Sequence, residues 1–258
     1  MQAFAIFMFL LSIGQGAVVQ ASGLLPQGES PGKAAEGPIW ARGATVLDLS
    51  CTSRHLPIAA PDHQSSILVL CKKRKDEDPT YSLRVTTSAE HKYEVPLDEG
   101  AHELLWAPNS KAFFVDGGTS GYAGFFVSVY RIDASSGVQK EDLTKAAQTD
   151  MVASFPPCKA ANRSEALCAK TAEHPDYKMS AVAWTRDSSA IDVFAEVPCS
   201  SSYGGIMCQV IGYELSVPDG HILARLAAKE IQEHWTPFMA WKMHMPDPPV
   251  YGPPQQTF

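Results

Sequence analysis

Residues 105–115 read Leu-Trp-Ala-Pro-Asn-Ser-Lys-Ala-Phe-Phe-Val, and this stretch decides the fold. An apolar run ends at Trp106, a turn follows, and a second apolar run begins at Ala112. Pro108 presets φ for the turn, and Asn109 can bond the backbone two residues on. The pattern occurs twice more. Residues 60–66 (APDHQSS) precede the strand-like ILVLC at 67–71, and residues 185–189 (TRDSS) precede AIDVFAEV at 190–197. Trp184 stands before the third turn as Trp106 stands before the second. Each unit continues into a hairpin: residues 82–95, 128–143 and 212–226. Gly137 and Gly220 sit in the later two hairpin turns, where positive φ is often needed. Short apolar runs separated by turn residues predict an all-β domain of antiparallel strands.

The stretch from Leu105 to Val115, and its weaker copy from Ala183 to Ser189, resemble the blade repeat of TolB-type and WD-repeat-like β-propellers. In that family a strand ending in Trp-Ser-Pro-Asp-Gly turns into the next strand of a four-stranded blade. The family's turn Gly is replaced here by His63, Ser110 and Ser188, and Arg186 replaces Pro in the third copy. The resemblance covers roughly residues 56–226 and implies propeller-like antiparallel blades. Three copies fall short of the usual ~4–8 blades of a closed ring. The expected arrangement is therefore a partial or small propeller, an open arc or a ring completed by another chain. A two-sheet β-sandwich is the alternative. Residues 38–58 and 235–245 are candidates for outlying strands.

Outward from the repeats, residues 3–13 (AFAIFMFLLSI) are apolar but too short to span a bilayer as a helix. Val19-Gln20-Ala21 follows with small residues at the positions a signal peptidase reads. Residues 1–21 are expected to be a signal peptide, although Met1-Gln2 lacks a Lys or Arg. Residues 22–37 read as a flexible leader, 38–245 as the β domain, and 246–258 as a Pro-rich tail. The expected location is secreted or periplasmic, with no membrane span in the mature chain. The balance of 21 Lys+Arg against 28 Asp+Glu, net −7, gives no footprint for nucleic acid.

Six cysteines in an exported chain predict disulfides. Cys158 and Cys168 flank a short polar loop, and Cys199 and Cys208 flank the Ser/Gly-rich tract 200–205. Cys51 and Cys71 pair by elimination. Zinc fits poorly, because no C-x-x-C spacing occurs. Residues 144–178 form an insertion in which Asn162 and Glu165 resemble a helix start. Asn162-Arg163-Ser164 also fits a glycosylation acceptor. Ala227, Ile231 and Trp235 lie on one face of a second short helix.

The chain carries no G-x-S-x-G, P-loop, G-x-G-x-x-G or H-E-x-x-H. The expected function is a non-enzymatic exported binding or scaffold module for an unknown protein or small-molecule ligand. Rigid strands would carry variable recognition loops, with Gly118, Ser120 and Tyr122 in one and Ser202 and Tyr203 in another. Lys72-Lys73-Arg74-Lys75 is followed by Asp76-Glu77-Asp78 and reads as a solvated hairpin tip. Two alternatives come from other classes. Met243, His244 and Met245 could bind copper, because thioether sulfurs suit Cu(I). No other cofactor is implied. A hydrolase assembled from distant loops would draw on His55, Asp62, His63 and Asp116.

Overall fold

The computed structural model describes residues 40–52, 55–73, 75, 77–118, 125–133, 135–155, 177–198 and 206–240. They form three antiparallel sheets, none closed into a barrel, with two short helices. Sheet I has the order β2 (Ile58–Ala59), β3 (Ser66–Lys72), β4 (Thr80–Thr86), β5 (Lys92–Pro96). Sheet II runs β1 (Thr45–Val46), β6 (Ala101–Trp106), β7 (Ala112–Gly118), β8 (Phe125–Asp133), β9 (Gly137–Glu141). Sheet III runs β10 (Lys178–Trp184), β11 (Ala190–Glu196), β12 (Val210–Ser216), β13 (Ile222–Ala227). Each is an up-and-down meander of four consecutive strands, to which sheet II adds β1 at the edge of β6. Helix α1 (Lys145–Ser154) lies in the insertion and α2 (Ala228–His234) follows the last strand.

The three turns quoted above are the same turn. His63 N donates to Ala60 O at 2.9 Å, Ser110 N to Ala107 O at 2.9 Å and Ser188 N to Thr185 O at 2.9 Å. His63, Ser110 and Ser188 all lie in the left-handed region, with φ of 56°, 59° and 62°. These are the positions where the sequence lacks the expected glycine. Asp62, Asn109 and Asp187 each accept a backbone N–H two residues on, at 2.8, 2.8 and 3.1 Å. Successive turns are also joined. The Asp62 amide donates to Ser110 Oγ at 2.9 Å, and the Asn109 amide donates to Ser188 Oγ at 3.1 Å.

Sheet II is the middle layer. Its β7 is buried from Ala112 to Gly117, because strand alternation sends Phe113 and Val115 to one face and Phe114 and Asp116 to the other. Phe113 and Val115 join Ile67, Val69, Leu83 and Val85 of sheet I in one core. Phe114 joins Ala181, Ile191, Val193, Tyr213 and Leu215 of sheet III in another. The far face of sheet III is covered by α2, whose Ile231 packs with Trp235, Val182 and Phe194. Gly212 permits that approach: a Cβ there would lie 2.6 Å from the Trp235 ring and 2.9 Å from Ile231. The far face of sheet I is mixed: Leu68 and Leu70 stand opposite Arg84 and Ser82, and Lys72 and Ser82 bond Glu94 at 2.5 and 2.9 Å.

Helix α1 lies upstream of the helix start expected at Asn162, which falls outside the described residues. Its Ala147 and Met151 enter the core between sheets II and III, and Asp150 accepts Tyr213 Oη at 2.6 Å and Arg225 Nε at 2.9 Å. Cys51 and Cys71 form a disulfide, with Cα atoms 5.3 Å apart. Cys208 is disulfide-bonded; Cys199, Cys158 and Cys168 lie outside the described residues. Among the described residues no helix is long and apolar enough to cross a membrane.

Candidate recognition groove

The inner edge of sheet II is built on two buried carboxylates. Glu103 and Asp116 are directly opposed on β6 and β7, so their side chains share the face toward sheet III. Both are fully buried. Glu103 accepts the backbone amides of Ala41 at 2.7 Å and Trp40 at 3.2 Å. Asp116 Oδ1 accepts the amide of Ala181 at 2.9 Å. That amide faces sheet II at the β-bulge between Ala181 and Ala183, where β10 slips its register against β11. Burial, and then the charge of Glu103, push the Asp116 carboxyl well above the usual carboxylate range. The pair therefore fixes two backbone segments to sheet II: residues 40–41 and the middle of β10.

The segment held by Glu103 also meets the end of the described chain. Arg42 N donates to Phe238 O at 2.7 Å, Ala240 N donates to Trp40 O at 2.9 Å, and Ala41 forms a bridge with Met239. This clasp sets Arg42 and Gly43 beside Pro237 and Phe238. Facing them are Leu105 and Trp106 from the end of β6, and Val182, Ala183 and Trp184 from the end of β10. Together they line an open groove of about 370 Å³. Trp184 is fixed on two sides: its Nε1 donates to Leu105 O at 3.2 Å, and its ring stacks on Phe114 at 5.8 Å. Trp106 occupies the matching strand position but packs toward sheet I, 5.3 Å from the Phe113 ring. The groove walls are apolar, and Phe238 is 50% exposed at the rim. Among the described residues that line it, Arg42 is the one charged side chain.

Comparison of the chain with protein families, with curated proteins and with solved structures finds no match in any of the three.

The sequence-expected residues fall elsewhere. Met243, His244 and Met245, with Ser120, Tyr122, Ser202 and Tyr203, lie outside the described residues. Gly118 belongs to β7 and pairs with Phe125 of β8 instead of starting a loop. The ladder extends this far because Gly118 N also bonds Gly100 O at 2.9 Å. A Cβ on the preceding Gly117 would lie 2.6 Å from that same carbonyl. The hydrolase set does not converge. Asp62 caps its own turn, and the bonds it accepts from Ser65 and Gln64 outweigh desolvation and hold its carboxyl low. His63 is the exposed left-handed residue of that turn. Asp116 is locked in the interior.

His55 lies 3.7 Å from Asp48 in a separate groove of about 540 Å³ along β3, bordered by the Cys51–Cys71 disulfide. A third, polar cleft of about 440 Å³ between sheets I and II contains His91, Tyr93, Lys111 and Asp133. There the Asp133 carboxylate is held far below its usual range by the side chains and amides of Ser135 and Ser136. Among the described residues, no group of three or more His, Cys, Asp or Glu is placed to hold a metal ion. Arg42, Glu103 and Phe238 escaped sequence reading. The one available signal was an acid at an inward position in each of two apolar strands, Glu103 in AHELLW and Asp116 in AFFVD.

Proposed function

We propose that this chain is an exported binding or scaffold module whose three meanders are propeller-like blades, and that it engages its partner at the groove between the second and third blades. The observation that carries this reading is the groove itself. Its walls are contributed by strand ends and a backbone clasp, and its central indole is fixed by a hydrogen bond and a ring stack. Pre-organised apolar concavities with few polar groups are typical of ligand sites. The blade reading is supported by the shared turn geometry, the repeated meander order, and the serine bonds from each turn to the next.

An open arc of three blades fits the ends better than a ring closed by a second copy. The free face of sheet I carries Lys72, Ser82, Arg84 and Glu94, and the free face of sheet III is covered by α2. Among the described residues, charged side chains interrupt the apolar Leu68 and Leu70 on the outer face of sheet I, and α2 occupies that of sheet III. Export is supported by the signal-like N-terminal sequence and by the disulfides, which persist in oxidising compartments.

The test compares affinity capture from the native exported fraction by the wild-type chain and by Gly43→Leu, with a hydrolase substrate panel run in parallel. A partner retained by the wild type and lost by the variant is expected. Turnover abolished by His55→Ala would replace this reading with the enzyme.

A further inference from the structure

We infer that the groove between sheets II and III receives the C-terminal residue of a partner polypeptide, its aromatic side chain against Trp184, Leu105 and Phe238 and its free carboxylate on Arg42. This rests on the binding-module reading and names the ligand class for that site.

Charge complementarity makes the argument. Among the described residues no carboxylate lines the groove, so none of them neutralises the Arg42 charge from within it. The guanidinium is exposed, and its contact to Thr236 O, at 3.5 Å, lies at the outer limit of a hydrogen bond. A guanidinium prefers a planar, two-oxygen acceptor, which a carboxylate supplies. The rest of the wall is indole, phenyl, leucine, valine and proline, so the remainder of the ligand must be apolar.

A C-terminal residue carries both features on one Cα. An internal Asp or Glu would bring a charged side chain without an apolar body, and would lay its flanking amides against walls that offer them few partners. A polyanion is disfavoured by the single cation among the described lining residues and by the chain's net charge of −7. The volume, about 370 Å³, sits near the low end of the ~300–1,000 Å³ found for small-ligand sites, which suits one or two residues.

Gly43 supplies a blocking position. It sits in the turn closed by Ala44 N to Ala41 O at 3.0 Å, and a Cβ built on it meets only Leu105 Cδ1, at an ordinary 3.5 Å. A leucine at 43 is therefore compatible with the backbone while filling the groove.

The experiment titrates the full chain with acetyl-Gly-Ser-Gly-Phe as the free acid and as the C-terminal amide, read by tryptophan fluorescence and calorimetry. The acid is expected to saturate and the amide to bind at least about tenfold more weakly, as loss of a charge-assisted pair requires. Arg42→Gln should bring the acid down to the amide's affinity, Arg42→Lys should restore part of it, and Gly43→Leu should abolish both. Circular dichroism and unfolding midpoints matching wild type establish that the variants fold. Equal affinities for acid and amide, undiminished acid binding by Arg42→Gln, or no saturation by about 5 mM acid would each overturn the assignment. If Gly43→Leu still loses a captured partner while acid and amide are indistinguishable, the binding-module reading stands and the ligand class is wrong.

Discussion

Replacing the left-handed residues of the three turns tests whether the sheets form a linked series. Ser110 and Ser188 are buried at 6% and 7% exposure, and each accepts the amide of the preceding turn. His63 has the same backbone conformation, but it begins the series and receives no such bond among the described residues. Holding an L-residue in this conformation costs roughly 1–2 kcal/mol. Alanine keeps that cost, so Ser110→Ala measures the serine bond alone. A net hydrogen bond is worth about 0.5–1.5 kcal/mol, and a partly buried amide left unpaired raises the loss to about 1–2 kcal/mol.

Glycine relieves the backbone but loses roughly 0.5–1 kcal/mol to unfolded-chain entropy, so Ser110→Gly should lose about 1 kcal/mol or less. His63→Ala should be neutral within about 0.5 kcal/mol. Urea unfolding followed by tryptophan fluorescence reads these differences, because Trp106 and Trp184 sit at the two sheet junctions. A change of 1 kcal/mol should move the thermal midpoint by roughly 2–4 °C in a domain of this size. Ser188 accepts the amide of Asn109, the neighbour of Ser110 in the same turn, so the Ser110→Ala, Ser188→Ala double variant should depart from the sum of the single effects. If Ser110→Ala and His63→Ala have the same small effect, the cross-turn bonds contribute nothing and the linkage argument is wrong.

Glu103→Ala should destabilise by about 2–5 kcal/mol, because the buried Trp40 and Ala41 amides lose their acceptor, whereas Glu103→Gln keeps one oxygen and should lose less. The urea midpoint measures both, and equal losses would contradict the acceptor role. Asp192 is raised to about 7 by burial and by Glu214 opposite it on β12. A carboxyl raised on folding loses stability as pH climbs from the unfolded value near 4 toward 7. Asp192→Asn should therefore gain on the wild type across that window, by at most about 4 kcal/mol. Parallel stability–pH curves for the two proteins would refute this. Gly212→Val should displace α2 from sheet III and expose Trp235, seen as a red-shifted emission; an unshifted spectrum with an unchanged midpoint would rule out the close approach.

The strands and turns were legible because local chemistry sets them. Pro61 and Pro108 fix φ, Asp62, Asn109 and Asp187 cap their own turns, and apolar alternation marks the flanking strands. Helix α2 was legible from the spacing of Ile231 and Trp235, which are buried, whereas Ala227, expected on the same face, ends β13 and is exposed. Helix α1 was not. Thr144 gives it no side-chain cap, and only Ala147 and Met151 are buried, so no apolar stripe announces it. Its position is set by bonds from Tyr213 and Arg225, residues more than sixty positions away.

The same distinction separates the turns from the groove. A serine where a glycine is expected looks in sequence like decay of the motif. In the fold, Ser110 and Ser188 carry the bonds that join one sheet to the next, which a glycine could not make. The replacement exchanges local backbone ease for a contact between sheets. The groove depends entirely on such distant pairings. Arg42 reaches it because Glu103 anchors the adjoining amides and Phe238 accepts its own, over separations of sixty and nearly two hundred residues. No periodicity or spacing encodes that meeting. A recognition site built from the two ends of the described chain is thus coupled to their closure, so Glu103→Ala should weaken ligand binding as well as stability, although Glu103 does not line the groove. Peptide titration well below the variant's unfolding midpoint separates the two effects. Wild-type affinity in a destabilised Glu103→Ala chain would show that the groove forms without the clasp.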